Sequence, residues 1–331
     1  MVVTTIAAVV IGRNEGDRLR SSLRSVQDAS LPVVYADSGS RDQSPALAEN
    51  LGIPVVRLDP GRPFSAARGR NEGMAEVLRL SPTAEFVMFL DGDCTLSPCF
   101  PSAAAEAFKE NPACAVVIGN LTELHPEASV YNRLCSIEWQ SPAGFIVDGR
   151  GLGGIMAVRV AAFQQAGGFN EQVIAGEEAD FAARLARAGW SVLKIDTPMA
   201  THDAQMMHFS QWWRRTVRAG HAMAHRYLGH GQTATPAKGR AVRSALFWGC
   251  LLPLAVLLLL IPTGGASLLL FAGYGWLGWR IYLHYRQRGL TPSDARLVSR
   301  FIVYAKVPEF LGILRYLTNR LRGSFHVIDW R

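Results

Sequence analysis

The sequence has few cysteines, and their arrangement excludes two kinds of stabilised small domain. There are five in 331 residues, an odd number, and no two follow the C-x-x-C spacing. A disulfide framework needs paired cysteines in an oxidising compartment, and a zinc ribbon needs closely spaced pairs. The pattern therefore predicts a chain that works in a reducing compartment.

Charge is missing from a long stretch near the C-terminus. No Asp, Glu, Lys, Arg or His occurs between Ser244 and Trp279, and the apolar run is interrupted by the PTGG segment at 262–265. A spanning helix needs about 20 apolar residues, and this segment is a strong turn signal. We therefore predict two short helices, 244–261 and 266–283, that form a transmembrane hairpin. A shallow re-entrant hairpin and a buried helical pair are the alternatives.

Acidic residues are scarce after residue 200, although the whole chain has 27 acids against 34 Lys and Arg, a net charge of +7. A basic rear half is typical of contact with nucleic acid or with an anionic membrane surface. Because Arg243 and Arg280 flank the apolar run, the positive-inside rule favours a membrane and leaves both ends of the hairpin in the cytoplasm. We therefore expect membrane lipids, and no nucleic acid, among the partners.

The first 200 residues alternate between strand and helix patterns. The opening, MVVTTIAAVVIG, has no basic start and no cleavage site, so it predicts a buried strand rather than a signal peptide. The alternation predicts an α/β fold with a mostly parallel sheet flanked by helices. The predicted strands are 5–11, 32–36, 54–58, 86–90, 115–118, 154–158 and 191–195. The predicted helices between them are 16–29, 43–51, 65–80, 101–110, 160–166 and 178–188.

Polar side chains follow each of the first four predicted strands. The fourth strand ends in Asp91-Gly92-Asp93, where two carboxylates stand one residue apart. An isolated D-G-D is most simply a turn. However, the carboxyl ends of parallel strands face one crevice where ligands bind, and two carboxylates there can hold a Mg or Mn ion and through it a phosphate. The other clusters are Asn14-Glu15, Asp37-Ser38 and Arg70-Asn71.

These clusters resemble the motifs of the family 2 glycosyltransferases with the GT-A fold, over residues 5 to about 220. The resemblance also rests on DSGSRD at 37–42 and on GEEADFAAR at 176–184, which is similar to the acceptor-side signature of the family. It implies that Asp93 ligates a divalent cation, Mg or Mn, which bridges the diphosphate of a nucleotide-sugar donor. It also implies nucleotide-sugar binding for Asn14, Glu15, Asp37, Ser38, Arg70, Asp91, Gly92, Arg184 and Arg214.

Three acids of the acceptor-side stretch are the candidate catalytic residues: Glu177, Glu178 and Asp180. The attacking hydroxyl must lose its proton, so a carboxylate is needed on the acceptor side. The resemblance places this base at Glu178, but the pair leaves open whether Glu177 or Glu178 acts. A single base implies one displacement with inversion at the anomeric carbon. A helix N-terminus enriched in acids, which the macrodipole favours, is the alternative explanation of the stretch.

Three histidines raise the question of metal binding. His202 follows a predicted strand and is a candidate metal ligand, although a lone histidine is more often structural. His221 and His225 lie four residues apart on one face of a basic predicted helix, 208–228. With no third ligand in view, we expect this pair to form an interfacial surface rather than a metal site.

Two later segments bear on the kind of transferase. Processive members of the family carry a Q-x-x-R-W element, whereas here Gln211-Trp212-Trp213-Arg214 is followed by Arg215, which predicts single addition. The last predicted helix, 294–321, has two apolar faces that align only if it kinks at Pro308. We expect it either to lie in the membrane interface or to pack against the catalytic domain.

These observations predict a catalytic domain at 1–228, a basic linker at 229–243, a hairpin at 244–283, and a basic amphipathic helix with a tail at 284–331. We expect an inverting, metal-dependent hexosyltransferase at the cytoplasmic face of the inner (plasma) membrane, acting on a lipid or lipid-linked glycan acceptor. An inactive membrane scaffold or nucleotide-sugar sensor is one alternative. A nucleotidyltransferase is another, but the N-terminal loop offers only Gly12 and Gly16 for phosphate binding.

Overall fold

The structure is a computed structural model that describes residues 5–146, 152–173, 176–229 and 236–323. The chain divides into two compact units. The first consists of Met1–Pro126 and Glu138–Gln205, and the second of Glu127–Ile137 and Met206–Arg331. All strands belong to the first unit, as far as the described residues extend, and the second unit is helical.

Nine strands of the described residues form one sheet: β1 Ile6–Gly12, β2 Val33–Asp37, β3 Val55–Arg57, β4 Phe86–Asp91, β5 Cys94–Leu96, β6 Cys114–Glu123, β7 Gly144–Phe145, β8 Met156–Arg159 and β9 Ser191–His202. Their order is β3-β2-β1-β4-β8-β6-β9-β5, with β7 paired to β9. All seven predicted strands are present. The short strands β5 and β7 were not predicted, because three and two residues show too little periodicity.

The first four strands run parallel, and this arrangement positions the site. β1 is apolar and buried on both faces, as a central strand covered by helices must be. Its register pairs Gly12 with Asp37 of β2 and Ile11 with Asp91 of β4. The loops that leave these strands therefore begin side by side at one edge of the sheet.

The remainder of the sheet corrects the prediction of a mostly parallel arrangement. β8 runs antiparallel between β4 and β6, and β5 and β7 run antiparallel to β9. The described pairings comprise four parallel and four antiparallel pairs, so the sheet is mixed. The apolar pattern of a buried strand is the same in either direction, and the sequence therefore carried no signal for the reversal of β8.

Thirteen α-helices lie within the described residues: α1 Asp17–Asp28, α2 Ser44–Asn50, α3 Ala66–Leu80, α4 Phe100–Glu110, α5 Val130–Glu138, α6 Val160–Gln165, α7 Glu177–Arg187, α8 Phe209–Ala224, α9 Pro236–Leu246, α10 Leu252–Leu259, α11 Ala272–Gln287, α12 Pro292–Tyr304 and α13 Lys306–Arg322. The six helices predicted between strands correspond to α1–α4, α6 and α7. α5 was not predicted. The serine before α3, Ser65, caps it by accepting from the Arg68 N–H at 3.1 Å.

In the second unit, α8 and α13 pack through two glycines. A Cβ on Gly220 would collide with the backbone of Glu309, and a Cβ on Gly312 would collide with the backbone of Val217. Only glycine allows two helix backbones to approach so closely. α13 is therefore a packed helix along one face, and its opposite face carries exposed leucines.

His221 of α8 and His225, which directly follows that helix, correct the expectation of an interfacial surface. His221 is buried, and its ring lies 5.3 Å from the ring of Tyr316 on α13. His225 also lies against Tyr316, at 5.6 Å. Burial, with the neighbouring charges of His225 and Arg315, lowers the pKa of His221 to about 4. His221 is therefore a neutral core residue at physiological pH.

The apolar run forms two helical arms, but a transmembrane hairpin is not confirmed. Among the described residues, one helix, Gly239–Leu259, is long and apolar enough to cross a membrane. Only 28% of its most apolar stretch is buried within the protein. The second arm begins with a 3₁₀ segment, Ala266–Phe271, and continues as the 16 residues of α11. That α-helix is shorter than the roughly 20 residues needed to span. The turn predicted at 262–265 is confirmed.

The segments around the arms differ partly from expectation. The predicted linker, 229–243, is helical from Pro236, and its residues 230–235 lie outside the described residues, as do 324–331 of the predicted tail. The helix is interrupted near Pro308, since α12 ends at Tyr304 and α13 starts at Lys306, and the kink stays a prediction. Pro308 lies in the first turn of α13, where its missing N–H costs no helical hydrogen bond.

Candidate active site

Two loops at the ends of β1 and β2 are joined by side-chain hydrogen bonds. Asn14, in a left-handed conformation with φ of 57°, accepts from the Arg41 N–H at 2.7 Å, and its own N–H donates to Ser40 at 2.9 Å. The Gly16 N–H donates to Asp42 at 3.1 Å. Asn is among the few residues that tolerate this backbone conformation. The loops are therefore held as one rigid surface.

Asp37 is buried at the centre of that surface. One carboxylate oxygen accepts from the N–H groups of Gly39 and Ser40 at 3.1 and 3.0 Å, and the other accepts from the Tyr35 hydroxyl at 3.0 Å. Burial, together with the charge of Asp37, raises the pKa of Tyr35, so the phenol stays a donor. Ser38 lies half-buried in the same turn. Asp37 therefore organises this turn, and the binding role of Asp37 and Ser38 stays a prediction.

The glycine of the D-G-D motif makes room for Glu15. Glu15 is almost fully buried and pairs with Arg18 at 2.9 Å. A Cβ on Gly92 would lie 2.9 Å from Cγ of Glu15, and a Cβ on Gly12 would lie at the same distance. Both glycines are therefore needed for close packing around this acid.

Arg70 of α3 connects three parts of the fold. Its guanidinium is only 2% exposed and lies 2.9 Å from Glu177, 3.1 Å from Asp91 and 3.7 Å from Glu178. It also stacks over the ring of Phe169 at 5.4 Å. Burial opposes its charge, but the three carboxylates hold the pKa of Arg70 above its usual range. A single buried cation thus brings β4 and α7 together.

The two glutamates at the start of α7 are chemically different. Gly176, with φ of 82°, precedes the helix, and its first turn presents both acids. Glu177 is bound to Arg70, whereas Glu178 lies farther from it and remains 17% exposed. Burial first, and then the charge of Glu177, raise the pKa of Glu178 to about 8. Glu178 is therefore the acid that can exchange a proton near neutral pH.

Asp93 and His202 form a pair that fits a divalent cation. Oδ2 of Asp93 lies 3.6 Å from Nε2 of His202, while Cys94, paired with His202 across β5 and β9, is the third potential ligand within 4.8 Å. Two ligand atoms that each lie about 2.1 Å from the same cation are roughly 3 to 4 Å from one another. Burial raises the pKa of the Cys94 thiol well above its usual value, so it acts as a donor to Asp93.

Three predicted residues lie elsewhere. Asp180 and Arg184 form an ion pair at 2.8 Å within α7, and Arg184 also donates to the Ala166 carbonyl at the end of α6. These contacts brace α7 against α6. Arg214 lies on α8 of the second unit, outside the unit that carries the other predicted residues. The structure therefore brings together the remaining predicted residues around Arg70, Asp93 and the β1 and β2 loops.

Two residues of the site were missed by sequence reasoning. Glu123 ends β6 and approaches His202, with Oε2 at 3.5 Å from Nδ1. The signal was present, because an acid at the end of an apolar strand is the same feature that identified Asp91. A Cβ on Gly154 would collide with the Arg70 guanidinium and lie 2.8 Å from Asp91. A glycine before β8 offered no comparable signal.

A family model matches the part of the chain that carries most of this site. Residues 7–164 match the family model described as Glycosyl transferase family 2. That segment contains the β1 and β2 loops, Arg70 and the D-G-D motif. Residues 7–164 are therefore similar to the family 2 glycosyltransferases, and the fold is of the GT-A type.

Two curated relatives match parts of the chain. A poly-beta-1,6-N-acetyl-D-glucosamine synthase of Staphylococcus epidermidis is 27% identical over 148 residues, which cover 43% of this chain and 34% of that protein. A TPR repeat-containing protein of Synechococcus elongatus is 33% identical over 88 residues, covering 27% of this chain and 20% of that protein. The matches thus span about a third or less of the curated relatives.

Solved structures share the fold over most of the chain. A mannosyltransferase from Pyrobaculum calidifontis, in complex with GDP-Man and Mn2+, has a TM-score of 0.57 and 16% identity, and the match covers 95% of this chain and 87% of that one. TarS 1-349 of S. aureus, in complex with UDP, has a TM-score of 0.50 and 15% identity, covering 97% and 92%. At this identity the likeness shows a common fold.

Proposed function

We propose that this protein is an inverting, metal-dependent glycosyltransferase that moves a sugar from a nucleotide-diphosphate donor to an acceptor hydroxyl. The observation that carries the proposal is the arrangement on the two sides of Arg70. Asp91, which leads to Asp93, lies on one side, and the Glu177–Glu178 pair lies on the other. A donor held near Asp93 would present its anomeric carbon toward an acceptor held near Glu178.

The nucleoside of the donor would bind at the joined β1 and β2 loops. Asp37 and Glu15 are the acids nearest the base in this assignment, and Asn14 and Ser38 supply further polar contacts. Asp91, with Gly92 beside it, would contact the ribose. The solved neighbours support a nucleotide donor, since the mannosyltransferase contains GDP-Man and TarS contains UDP.

Asp93 and His202 would hold the divalent cation, Mn or Mg. When bound, such a cation neutralises charge on the diphosphate leaving group. Arg70 adds a fixed positive charge that is already oriented by its carboxylate partners. The Mn2+ in the mannosyltransferase supports a cation at this type of site, and the fit of the Asp93–His202 pair supports it independently.

Glu178 would be the general base. It accepts the proton of the acceptor hydroxyl while the hydroxyl oxygen bonds to the anomeric carbon and the bond to the diphosphate breaks. A pKa of about 8 makes it a stronger base than an ordinary carboxylate. Glu177 would hold Arg70 in place, and Asp180 with Arg184 would hold α7. One base and one displacement give inversion.

A lipid or lipid-linked glycan would be the acceptor, at the cytoplasmic face of the inner membrane. Support comes from the apolar side chains that the helical arms leave in solvent, since Ile261 is 90% and Leu269 is 78% exposed. α13 adds an exposed row that includes Leu311, Leu314 and Leu321. Patches of this kind mark surfaces that are covered by a membrane or a partner. Arg214 on α8 would then meet lipid phosphate or donor.

Nucleotide release in detergent or nanodiscs tests the proposal. UDP-, GDP- and dTDP-sugars are offered with Mn or Mg to the wild type, to Asp93→Ala and to the control Asp28→Ala, whose side chain is exposed at the end of α1. We expect metal-dependent release with one donor class, a loss of about 100-fold or more in Asp93→Ala, and no change in the control. If the wild type neither releases nucleotide nor binds any donor with metal, the proposal fails and an inactive scaffold remains.

A further inference from the structure

His202 lies between two acids that come from different strands. β9 is flanked by β6 on one side and β5 on the other, and the registers pair Glu123 and Cys94 with His202. Nδ1 of the imidazole lies 3.5 Å from Oε2 of Glu123, and Nε2 lies 3.6 Å from Oδ2 of Asp93. The two ring nitrogens therefore face different carboxylates.

The backbone that follows His202 donates to Glu123 and keeps its carboxylate next to the imidazole. The Glu123 side chain is 0% exposed, and the Ala204 N–H lies 3.3 Å from both carboxylate oxygens. The His125 N–H adds a third contact at 3.4 Å. Trp139 meets the imidazole edge-on at 4.7 Å. Both the acid and the ring are thus confined, and neither can turn away without losing these contacts.

We propose that Glu123 is a positioning residue that selects the Nδ1–H tautomer of His202, so that the Nε2 lone pair points toward Asp93 and the cation. This inference rests on the proposed function, because it takes Asp93 and His202 as the cation ligands.

The physical reason is the asymmetry of a neutral imidazole, which has one N–H and one lone pair. If the proton were on Nε2, it would point at the ligand position and exclude the cation. A carboxylate that accepts the Nδ1 proton removes that state and makes Nε2 a stronger ligand. Glu123 would therefore control cation affinity without touching the cation or either substrate.

The experiment measures Mn2+ binding to the full chain in detergent, without donor, by electron paramagnetic resonance. Glu123→Gln keeps the shape and an acceptor but removes the charge, and Glu123→Met removes the acceptor as well. Glu110→Gln, an exposed glutamate in the same unit, is the matched control. We expect the dissociation constant to rise about 10-fold in Glu123→Gln and about 100-fold in Glu123→Met, with Glu110→Gln unchanged.

The second readout is the tautomer of the neutral His202 ring in the metal-free protein, from its ¹⁵N shifts recorded at a pH above the pKa of the ring. We expect Nδ1–H in the wild type and a growing Nε2–H population in the order Glu123→Gln, then Glu123→Met. A purely structural role would lower the melting temperature without this change. Should Glu123→Met fail to fold, the conservative Gln variant decides alone.

The outcomes separate the two claims. Wild-type affinity and an unchanged tautomer in Glu123→Gln would overturn the inference while leaving the proposed function intact. Absence of Mn2+ binding by the wild type, with donor turnover still present, would instead remove the cation assignment on which the inference rests. A graded loss of affinity together with the tautomer shift supports it.

Discussion

The two sides of the site stabilise their charges in opposite ways. We call the loops at 12–16 and 37–44 the base-side loops, and the group of Arg70, Asp91, Glu177 and Glu178 the acid cluster. In the base-side loops each acid accepts hydrogen bonds from nearby N–H or hydroxyl groups. Burial favours the protonated form of Asp42, but hydrogen bonds from Ser44 and Gly16 hold the pKa of Asp42 below its usual range. In the acid cluster three carboxylates share one cation.

The difference separates a binding surface from a reactive one. Hydrogen bonds from backbone N–H groups favour the charged carboxylate, as the lowered pKa of Asp42 illustrates, and they hold the base-side loops in one conformation. Crowded, buried carboxylates favour a proton, and Glu178 accordingly titrates near 8. The hydrogen bonds of the base-side loops stabilise the fold. The crowding of the acid cluster lowers stability, but it raises the pKa of Glu178 so that this residue can act as a base.

The largest effect is expected from removing the shared cation. Arg70→Met would leave three carboxylates facing one another, so we expect a loss of about 3–5 kcal/mol in the free energy of unfolding at pH 8. The loss should shrink at pH 5, where the carboxylates take up protons. Thermal and urea unfolding at both pH values measure it. Arg57→Met breaks the exposed pair with Glu49 and should cost less than about 1 kcal/mol; equal losses in the two variants would contradict the comparison.

The next effect is on turnover. Glu178→Gln should lower kcat by about 10²- to 10⁴-fold while sparing donor affinity, because only the proton acceptor is lost. In the wild type, kcat should rise with pH through about 8, since the base must be ionised. Glu177→Gln is the control, and it should weaken donor binding and stability through Arg70. Full turnover in Glu178→Gln would transfer the base role to another residue.

Glu178→Gln should also change how the free energy of unfolding depends on pH, in a direction that the pKa of Glu178 determines. The folded protein holds a proton on Glu178 up to pH 8 that the unfolded chain releases near 4.5, so wild-type stability falls as pH rises through this window. Glutamine has no such proton. Relative to wild type, Glu178→Gln should therefore gain about 4 kcal/mol between pH 5 and pH 8.5, and no relative gain would show that the cluster is not crowded as the geometry indicates.

The smallest effect concerns the base-side loops. Asp37→Ala should reduce the free energy of unfolding by about 2 kcal/mol, because two backbone N–H groups and the Tyr35 hydroxyl lose their acceptor. Asp59→Ala removes an exposed turn acid that accepts from Gly61, and it should cost about 0.5 kcal/mol. Equal losses in Asp37→Ala and Asp59→Ala would contradict the role of Asp37 as the shared acceptor of this turn.

The sequence by itself determined the elements and the position of most of the site. Seven strands and the intervening helices follow from apolar periodicity, and Asn14, Asp37, Arg70 and Asp91 follow from polar residues placed after strands. This works because parallel neighbours expose their carboxyl ends together, so that four loops meet whatever their detailed shape. The interruption between α12 and α13 near Pro308 likewise follows from local chemistry alone.

Only the tertiary structure determined the features that depend on contacts between residues far apart in the sequence. Three features of this kind are the antiparallel direction of β8, the burial of His221 and the contact of Glu123 with His202. Each depends on segments far apart in the sequence, and the local pattern of one segment does not predict its contact with the other. The same holds for the two glutamates of α7, which are adjacent in sequence and differ because one of them reaches Arg70, 107 positions away. The proton affinity of a carboxylate depends on its neighbours in space, and those neighbours are set by the fold.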